Sequence, residues 1–258
     1  RVNVDGVING LKFAQTRNNI KYVQISTISV LSSLTENEEK YPDVEYNERT
    51  LYYEQDLTNK YLGSKFLAER MVLEAATKGL PVKIMRVGNL MSRYSDGLFQ
   101  KNYDTNAFLN NLKALKNLKA LTPTMANEKI DMSQIDYVAK GILALCKTPE
   151  ECRVFHCMNN HLISQGDIID ALNTFGYGIE EVTSDEFKEI YEQNMGENIQ
   201  GLITADLTVE DFDDELEFEE DTRQTTEILH SLGFDWPEAD MDYLKRLIGY
   251  LNELNYFK

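Results

Sequence analysis

The sequence has few of the residues that build disulfide or metal frameworks. Its three cysteines are Cys146, Cys152 and Cys157, and its three histidines are His156, His161 and His230. An odd number of thiols without a C-x-x-C pair argues against a disulfide scaffold. Neither residue type shows the ligand spacing of a zinc site, so we expect no bound metal. His156 lies inside the apolar run "RVFHCMN" and is expected to be a structural histidine.

Long apolar runs and positive charge are also scarce. No stretch approaches the ~20 apolar residues of a membrane span, and no basic segment followed by an apolar stretch opens the chain. We therefore expect a cytoplasmic protein with no membrane-spanning segment. Lysine and arginine number 26 against 43 aspartates and glutamates, a net charge of −17, so nucleic acid is not an expected partner. Much of the acidic excess lies in residues 206–221, which we interpret as a solvated face.

Helical and strand patterns alternate in the first part of the chain. "NVDGVINGLKFAQT" has helical spacing, "IKYVQISTISV" is a strand-like run, a helix is predicted over about 62–77 with Gly79 ending it, and "VKIMRVGNL" is a second strand. The intervening polar residues 35–60 are predicted to form a long loop or insertion. Strands that are apolar on both faces and alternate with helices are typical of a parallel α/β sheet.

The rest of the chain is predicted to be mainly helical. The predicted helices are "NAFLNNLKALKNLKAL", "SQIDYVAKGILALCKT", "SQGDIIDALNTFGY", "SDEFKEIYEQN" and "MDYLKRLIGYLNEL", and "VFHCMN" is a short strand. Ser164 and Ser184 are the expected N-caps of the third and fourth of these helices. We predict the C-terminal half of a Rossmann-type domain over residues 1–100 and a mainly helical domain over 101–258, with about 130–160 returning to the sheet.

The stretch "YLGSKFLAER" contains a tyrosine and a lysine, Tyr61 and Lys65, four residues apart on a predicted helix. They share one helix face, and an ammonium there favours the phenolate form of a neighbouring tyrosine, which suits proton transfer at a carbonyl oxygen. The spacing alone is weak, since a chain with 14 tyrosines contains roughly one such pair by chance. A strand ending in Ser26-Thr27 precedes the pair and a strand ending in Gly88-Asn89 follows it. Parallel strands form sites at their carboxyl ends, so these residues are expected to meet.

At these residues the sequence resembles a known family. "ISTISV", "YLGSKFLAE" and "RVGNL" resemble the extended short-chain dehydrogenase/reductases. "RVGNLMSRYSDGLFQKN", "NAFLNNLKAL", "IDYVAKGI" and "VFHCMNN" are similar to the terminal thioester reductase domains of nonribosomal peptide synthetases, a type shared with carboxylic acid and aminoadipate reductases. The resemblance runs from about Asn3 to the end of the chain. Ser92 replaces an expected glycine and Gln134 an expected proline, which affects loop geometry more than chemistry.

The resemblance assigns a role to each candidate residue. It implies that Tyr61 is the catalytic acid, that Thr27 holds the substrate carbonyl, and that Lys65 binds the nicotinamide ribose and tunes Tyr61. The residues implied in cofactor binding are Ser26, Tyr61, Lys65, Val87, Gly88 and Asn89. Asn3 matches an asparagine that belongs to a proton relay in relatives.

The implied activity is reductive release of an acyl or peptidyl thioester as an aldehyde, with possible further reduction to the alcohol. The resemblance implies NADPH as the reductant, with NADH also open. It further implies a substrate held on the phosphopantetheine of a carrier protein in the same polypeptide. Two alternatives stay open: another extended reductase acting on a nucleotide sugar or small carbonyl compound, or a non-catalytic binding module of the same fold.

The Gly-rich dinucleotide fingerprint of such reductases is missing. None of the 14 glycines forms G-x-G-x-x-G or G-x-x-G-x-x-G. We therefore expect the fingerprint upstream of Arg1, so that this chain would hold a partial Rossmann-type sheet whose N-terminal half is absent, and a helical substrate domain.

A basic cluster is the expected docking surface for the carrier. Its members are Lys101, Lys113, Lys116 and Lys119, on and beside "NAFLNNLKALKNLKAL". Lys113 and Lys116 each follow a core leucine by one residue and are therefore expected to point toward solvent.

Overall fold

A computed structural model describes residues 2–17, 19–31, 45–194 and 221–258. The predictions for residues 35–44 of the polar stretch and for 206–220 of the acidic run lie outside these described residues. The described residues belong to two compact units. The first takes them from Arg1–Leu90, Asp136–Asn160 and Phe218–Pro237, and the second from Met91–Ile135, His161–Glu217 and Glu238–Lys258.

The elements follow one another as in a mixed α/β protein. The helices are α1 (Val2–Ala14), α2 (Lys60–Thr77), α3 (Ala107–Leu118), α4 (Pro123–Asn127), α5 (Ile135–Leu145), α6 (Gln165–Asn173), α7 (Ser184–Gln193), α8 (Arg223–Ser231) and α9 (Met241–Glu253). The strands are β1 (Tyr22–Thr27), β2 (Val82–Val87), β3 (Leu90–Met91), β4 (Ala120–Leu121), β5 (Lys129–Ile130), β6 (Ser133–Gln134), β7 (Val154–Cys157), β8 (Ile163–Ser164) and β9 (Glu180–Glu181). In the described residues, no helix is both long and apolar enough to cross a bilayer.

The first unit is built on a parallel sheet of order β1-β2-β7. The register pairs Thr27 with Val87 and Val87 with Cys157, so the strands end together at one edge. The predicted α/β class with a parallel sheet is confirmed. Because β1 and β2 end side by side, the residues that follow them are held close together.

Strand β2 is the buried centre of this sheet, with every residue buried. Its side chains alternate between the two faces. One face packs with α1 and α2 in a cluster of Val7, Leu11, Ala68, Val72, Ala75, Val82 and Ile84. The other packs in a cluster of Met85, Val87, Val138, Leu145, Phe155, Cys157, Leu229 and Trp236. Apolar cover on both faces accounts for the burial of every residue of the strand.

Two cations, Lys83 and Arg86, are nevertheless buried in β2. The Lys83 Nζ donates hydrogen bonds to Thr148 Oγ1 at 2.7 Å and to the carbonyl oxygens of Pro149 at 3.0 Å and Cys152 at 2.8 Å. These acceptors saturate the three donors of the ammonium, while burial lowers the pKa of Lys83. Interpreting β2 simply as an apolar strand overlooked both cations.

Helix α2 is closed at both ends by local hydrogen bonds. The Asn59 side chain accepts from the backbone N–H groups of Tyr61 at 2.9 Å and Leu62 at 3.2 Å, which fixes the first turn. At the other end Gly79 has φ 92°, and the Gly79 and Leu80 N–H groups bond back to the Ala76 and Ala75 carbonyls, forming a Schellman motif. The helix therefore ends as predicted and begins two residues before the predicted start at 62.

The second unit packs its helices around a separate apolar core. Its buried side chains include Leu109, Leu112, Leu115, Ile168, Leu172, Tyr243, Leu244 and Leu247. Thr183, not the predicted Ser184, is the N-cap of α7. Its hydroxyl accepts from the Glu186 N–H, and the Glu186 carboxylate accepts from the Thr183 N–H at 3.0 Å, which completes a capping box.

The lysines of α3 differ from their predicted orientation. The Lys116 Nζ donates to the Phe257 carbonyl oxygen at 2.7 Å, and the Lys113 Nζ lies 4.9 Å from the centre of the Tyr256 ring. Both side chains are half-buried. They hold the last residues of the chain against α3, so they are not free solvent-facing charges.

Candidate active site

A cavity of about 430 Å³ opens where β1 and β2 end. Its lining residues are Ile25, Ser26, Thr27, Ser29, Tyr61, Lys65, Val87, Gly88, Asn89 and Leu90. The cavity thus brings together every predicted site residue except Asn3. The sequence analysis did not identify Ile25, Ser29 or Leu90 as site residues, although each lies within two residues of one that it did identify.

Thr27 is held by its own chain neighbour. Its Oγ1 accepts from the Ser29 backbone N–H at 3.2 Å and lies 3.2 Å from the Ser29 Oγ. The main-chain bond exists because β1 ends at Thr27 and the chain turns at once into the 3₁₀ segment Ile28–Leu31. The Thr27 hydroxyl donates its single proton to the Ser29 Oγ, and because the main-chain bond holds its oxygen in place, rotation of the O–H alone would direct that proton to a substrate oxygen.

Tyr61 and Lys65 project from the first two turns of α2. The Tyr61 side chain is 51% exposed, and the Lys65 Nζ lies 5.8 Å from the centre of its ring. The Lys65 Nζ also lies 3.4 Å from the Ile25 carbonyl oxygen. Partial burial lowers the pKa of Lys65, and the nearby Glu69 carboxylate opposes that shift.

The hydroxyl of Ser26 is a buried, unpaired polar group in the cavity lining. The side chain is buried, and its Oγ has no hydrogen-bond partner among the described residues. Buried polar atoms are normally paired, so a lone hydroxyl beside a cavity points to a ligand that completes it. With the Tyr61 phenol, the Lys65 ammonium and the Asn89 amide, the lining offers the donor set that suits ribose hydroxyls. The residues present therefore fit a nicotinamide nucleotide.

Asn3 lies on α1 and is not among the described residues that line the cavity. Its Nδ2 donates to the Ser64 Oγ at 2.9 Å, and the Ser64 Oγ donates to the Tyr61 carbonyl oxygen at 2.8 Å. Asn3 therefore reaches Tyr61 through the main chain of α2 and not through the phenol. The proton-relay role stays a prediction.

The described part of the chain contains no cluster of side chains that could bind a metal ion. No three histidine, cysteine, aspartate or glutamate side chains there come close enough to hold an ion. Among the cysteines, Cys157 is fully buried and Cys146 and Cys152 are half-buried.

Comparison with solved structures identifies similar domains. The chain is 76% identical to a thiolation-reductase di-domain from an archaeal non-ribosomal peptide synthetase, covering 99% of this chain and 54% of that one, with a TM-score of 0.93. It is 28% identical to the reductase domain of the aureusimine biosynthetic cluster, covering 98% of this chain and 65% of that one, with a TM-score of 0.79. In both cases the chain spans less than two thirds of the solved structure.

Sequence comparisons identify a further relative and a matching protein family. A linear gramicidin synthase of Brevibacillus parabrevis is 26% identical over 199 residues, which are 75% of this chain and 4% of that protein. The model of the family described as "Male sterility protein" matches residues 1–142, more than half of the chain, and includes every residue that lines the cavity. The chain therefore belongs to the male sterility protein family of NAD-binding domains, within the extended short-chain dehydrogenase/reductases.

Proposed function

We propose that this chain belongs to an NAD(P)H-dependent reductase that releases an acyl or peptidyl group from a carrier-protein thioester as an aldehyde. The observation that carries the proposal is the shared cavity of Thr27, Tyr61 and Lys65, which also contains the turn after β2. The relatives support the substrate class, because one of them joins a thiolation domain to a reductase domain. The carrier partner would lie in the same polypeptide, and its phosphopantetheine would hold the substrate.

When bound, the cofactor supplies a hydride to the thioester carbonyl carbon. The carbonyl oxygen becomes negative as that bond forms, and donors placed in advance stabilise the developing charge. The Thr27 hydroxyl donates one hydrogen bond to this oxygen. The Tyr61 phenol gives it a proton, which yields a hemithioacetal and leaves a phenolate on the enzyme.

Lys65 supports this step in two ways. Its ammonium favours the phenolate that remains after Tyr61 has given up its proton. It would also bind the ribose hydroxyls of the cofactor, together with Tyr61. Ser26, Val87, Gly88 and Asn89 would hold the nicotinamide end of the cofactor, which the sequence resemblance predicts to be NADPH.

The products follow from collapse of the hemithioacetal. Its hydroxyl proton returns to the Tyr61 phenolate, the C–S bond breaks, and the pantetheine thiolate leaves and takes a proton from solvent. One hydride and one proton have then been added, so the thioester is reduced by two electrons to an aldehyde and a free thiol.

The test is a Tyr61→Phe substitution in the full-length protein that contains this chain. Its own carrier is loaded with an acyl-phosphopantetheine, NADPH oxidation is followed by absorbance, and the aldehyde is trapped for mass spectrometry. We expect thioester reduction to fall by about two orders of magnitude or more, the usual scale for loss of a general acid. NADPH affinity should fall far less than turnover, because Lys65 and the other residues of the lining would keep their contacts with the cofactor when the phenol is lost.

Tyr52→Phe is the matched control, since this tyrosine is 64% exposed and outside the cavity lining. It should keep wild-type turnover. Near-normal turnover by Tyr61→Phe would exclude the phenol as the acid. A wild-type enzyme that transforms a nucleotide sugar and leaves the acyl thioester intact would overturn the proposed substrate class.

A further inference from the structure

A buried ion pair joins the helix of the site to its central strand. Helix α2 carries Tyr61, Lys65 and Glu69 at intervals of four residues, so all three lie along one side of it. Tyr61 and Lys65 line the cavity, whereas the side chains of Glu69 and Arg86 are only 0% and 1% exposed. The pair is therefore anchored in the protein interior, one helical turn from Lys65.

The geometry of the pair is bidentate. The Arg86 Nη2 donates to the Glu69 Oε2 at 2.9 Å, and the Arg86 Nε lies 3.2 Å and 3.1 Å from the two carboxylate oxygens. A planar guanidinium that faces a carboxylate in this manner fixes both distance and direction. The contact therefore restricts sliding and rotation of α2 over β2 in a way that apolar contacts do not.

His156 fixes the other side of the guanidinium. The Arg86 Nη1 lies 3.2 Å from the His156 Nε2, and the His156 Nδ1 lies 2.9 Å from the Asp221 carbonyl oxygen. Arginine can only donate and a carbonyl oxygen can only accept, so Nε2 accepts and Nδ1 carries the proton. Burial, reinforced by the Arg86 charge, lowers the pKa of His156 to about 4. The ring is thus neutral near pH 7, and the negative charge that faces Arg86 comes from Glu69.

The pair also lies next to the strand ends that form the cavity. Arg86 is the cross-strand neighbour of Ser26 in β1 and immediately precedes Val87. Movement of α2 relative to Arg86 would therefore shift Tyr61 and Lys65 relative to Ser26 and Thr27. Proton transfer requires the donor and acceptor atoms to lie within hydrogen-bond distance. Displacing Tyr61 by much less than the length of one residue would therefore slow it.

Stability alone is a poor explanation for such a pair. Replacing a buried ion pair with apolar side chains of similar size is often neutral or stabilising, because the desolvation of both charges is avoided. The best supported benefit of buried polar pairs is the specification of one register. Around Glu69, helix α2 packs on the sheet through its own residues Ala68, Val72 and Ala75. Their apolar contacts have no preferred direction and do not fix one register.

We propose that Glu69 and Arg86 are positioning residues, which fix the register of α2 on β2 and hold the Glu69 carboxylate close to the Lys65 ammonium beside Tyr61. In its effect on rate, this inference rests on the proposed function. Its effect on the Lys65 amine does not.

The charges around Lys65 determine the expected direction of the effect. The titratable groups that face Lys65 from its own helix are Tyr61 and Glu69. Arg86 of β2 contacts Glu69 and so lies behind this carboxylate as seen from Lys65. Ile25, Ser26 and Thr27 of β1 and the turn after β2 carry no charge. Glu69→Gln removes the one carboxylate among the described residues that raises the pKa of Lys65 and leaves Arg86 positive, so it should lower this pKa further.

The first experiment follows the Lys65 amine directly. Full-length wild-type protein and the Glu69→Gln variant are labelled with an amine reagent from pH 7 to pH 11, and modification of Lys65 is quantified by mass spectrometry. Labelling of Lys65 should begin at lower pH in Glu69→Gln. Glu74→Gln is the matched control, because Glu74 lies on the same helix but is exposed and paired with Lys78; its Lys65 profile should equal that of the wild type. An unchanged profile in Glu69→Gln would overturn the electrostatic part of the inference.

The second experiment separates positioning from stability. The double variant Glu69→Met/Arg86→Met replaces both charges with apolar side chains, so its melting temperature should stay near that of the wild type. We expect its kcat for thioester reduction to fall about tenfold to a hundredfold, with a weaker NADPH affinity by fluorescence titration and a smaller change in the Lys65 profile than in Glu69→Gln. A folded double variant with wild-type kcat and NADPH affinity would overturn the positioning role.

The two proposals fail in different ways. If wild-type protein binds NADPH but reduces no thioester, the proposed function falls, and the NADPH affinity of the double variant still decides the positioning role. If Glu69→Gln does not fold because Arg86 is left unpaired, the double variant decides the inference through both the Lys65 profile and the NADPH affinity, and unchanged values of both would overturn it.

Discussion

His156 is enclosed by groups that hold its ring neutral. Arg86 donates to one ring nitrogen, and the other donates to the Asp221 carbonyl oxygen. The backbone N–H of His156 also donates to the Thr225 Oγ1 at 2.9 Å, and that hydroxyl donates to the buried Glu48 carboxylate at 2.6 Å. Protonation of the ring would place a second positive charge against Arg86 and would remove the acceptor that Arg86 uses.

This environment predicts a loss of stability in mild acid. The pKa of His156 is about 4 in the folded protein against 6.5 for the free side chain, so the unfolded chain binds more protons between these values. The contribution is fully present above about pH 6.5 and is lost as pH falls through about 4. Between pH 7 and pH 5 the free energy of unfolding should fall by roughly 2 kcal/mol from this residue. Urea unfolding at several pH values, compared with His156→Gln, measures it.

His230→Gln is the control for that measurement. The Asp235 carboxylate raises the pKa of His230, so this exposed histidine has the opposite linkage and contributes stability that is lost as pH rises. Its substitution should not reduce the loss of stability in acid. A wild-type slope in His156→Gln would show that other groups cause the acid sensitivity.

At the level of elements, helix α2 joins local and tertiary constraints. Asn59 fixes its first turn, the Schellman motif fixes its last, and the Glu69–Arg86 pair fixes its middle. Tyr61 lies in the first turn, where helices normally fray. The cap therefore contributes to the orientation of Tyr61 as well as to helix stability.

Asn59→Ala should separate these two contributions. We expect a loss of about 1 kcal/mol in the free energy of unfolding, as for other N-caps, and also a slower thioester reduction, because the first turn then samples more orientations. Thr183→Ala, at the cap of α7 in the other unit, should cost similar stability without affecting the rate. Thermal unfolding and turnover measured on both variants provide the comparison. Equal effects on rate would mean that Asn59 acts only through global stability.

Helix α3 carries two lysines that are not the free, solvent-facing charges predicted for it, and docking of a carrier on this helix stays a prediction. Lys116 and Lys113 contact the chain's last residues, and the Tyr256 hydroxyl donates to the Asn110 Oδ1 at 2.8 Å. Reversing these charges would therefore disturb the packing of the C-terminal segment as well as any carrier. Lys101 and Lys119 are the exposed members of the basic cluster, and they are the cleaner positions at which to examine docking.

For the molecule as a whole, the sequence predicted the long elements well. Helices such as α3 and α9 carry a clear apolar period, and the strands β1, β2 and β7 lie in runs rich in β-branched and aromatic residues. The paired two-residue strands were not predicted, because two residues show no period and their partners are distant. Lys129 pairs with Ser164, for example. Helix α8, directly after the acidic run, was also missed.

The candidate site was predicted in part for a similar reason. The topology of a parallel sheet requires Thr27, Tyr61 and Gly88 to meet at one edge, so motif and fold agreed. Glu69 and Arg86 were not identified, because their types and spacing are those of ordinary charged residues. Only the packing of α2 on β2 shows that they are buried together. Burial, unlike order along the chain, depends on contacts that a single sequence does not display.

The rate at which a thiol reagent labels Cys157 should report how often the first unit opens. Its side chain is fully buried in β7, and burial raises its pKa to about 12, whereas Cys146 and Cys152 are half-buried. A thiol reagent should therefore modify two cysteines quickly and the third only when the sheet opens. Because Cys157 pairs in register with Val87 at the cavity, a ligand that binds the folded site should slow this third reaction by a factor of 1 + L/Kd, where L is the free ligand concentration. Mass spectrometry of labelling time courses, with and without NADPH, would then report binding in the absence of turnover, and three thiols reacting at one rate would refute the assignment.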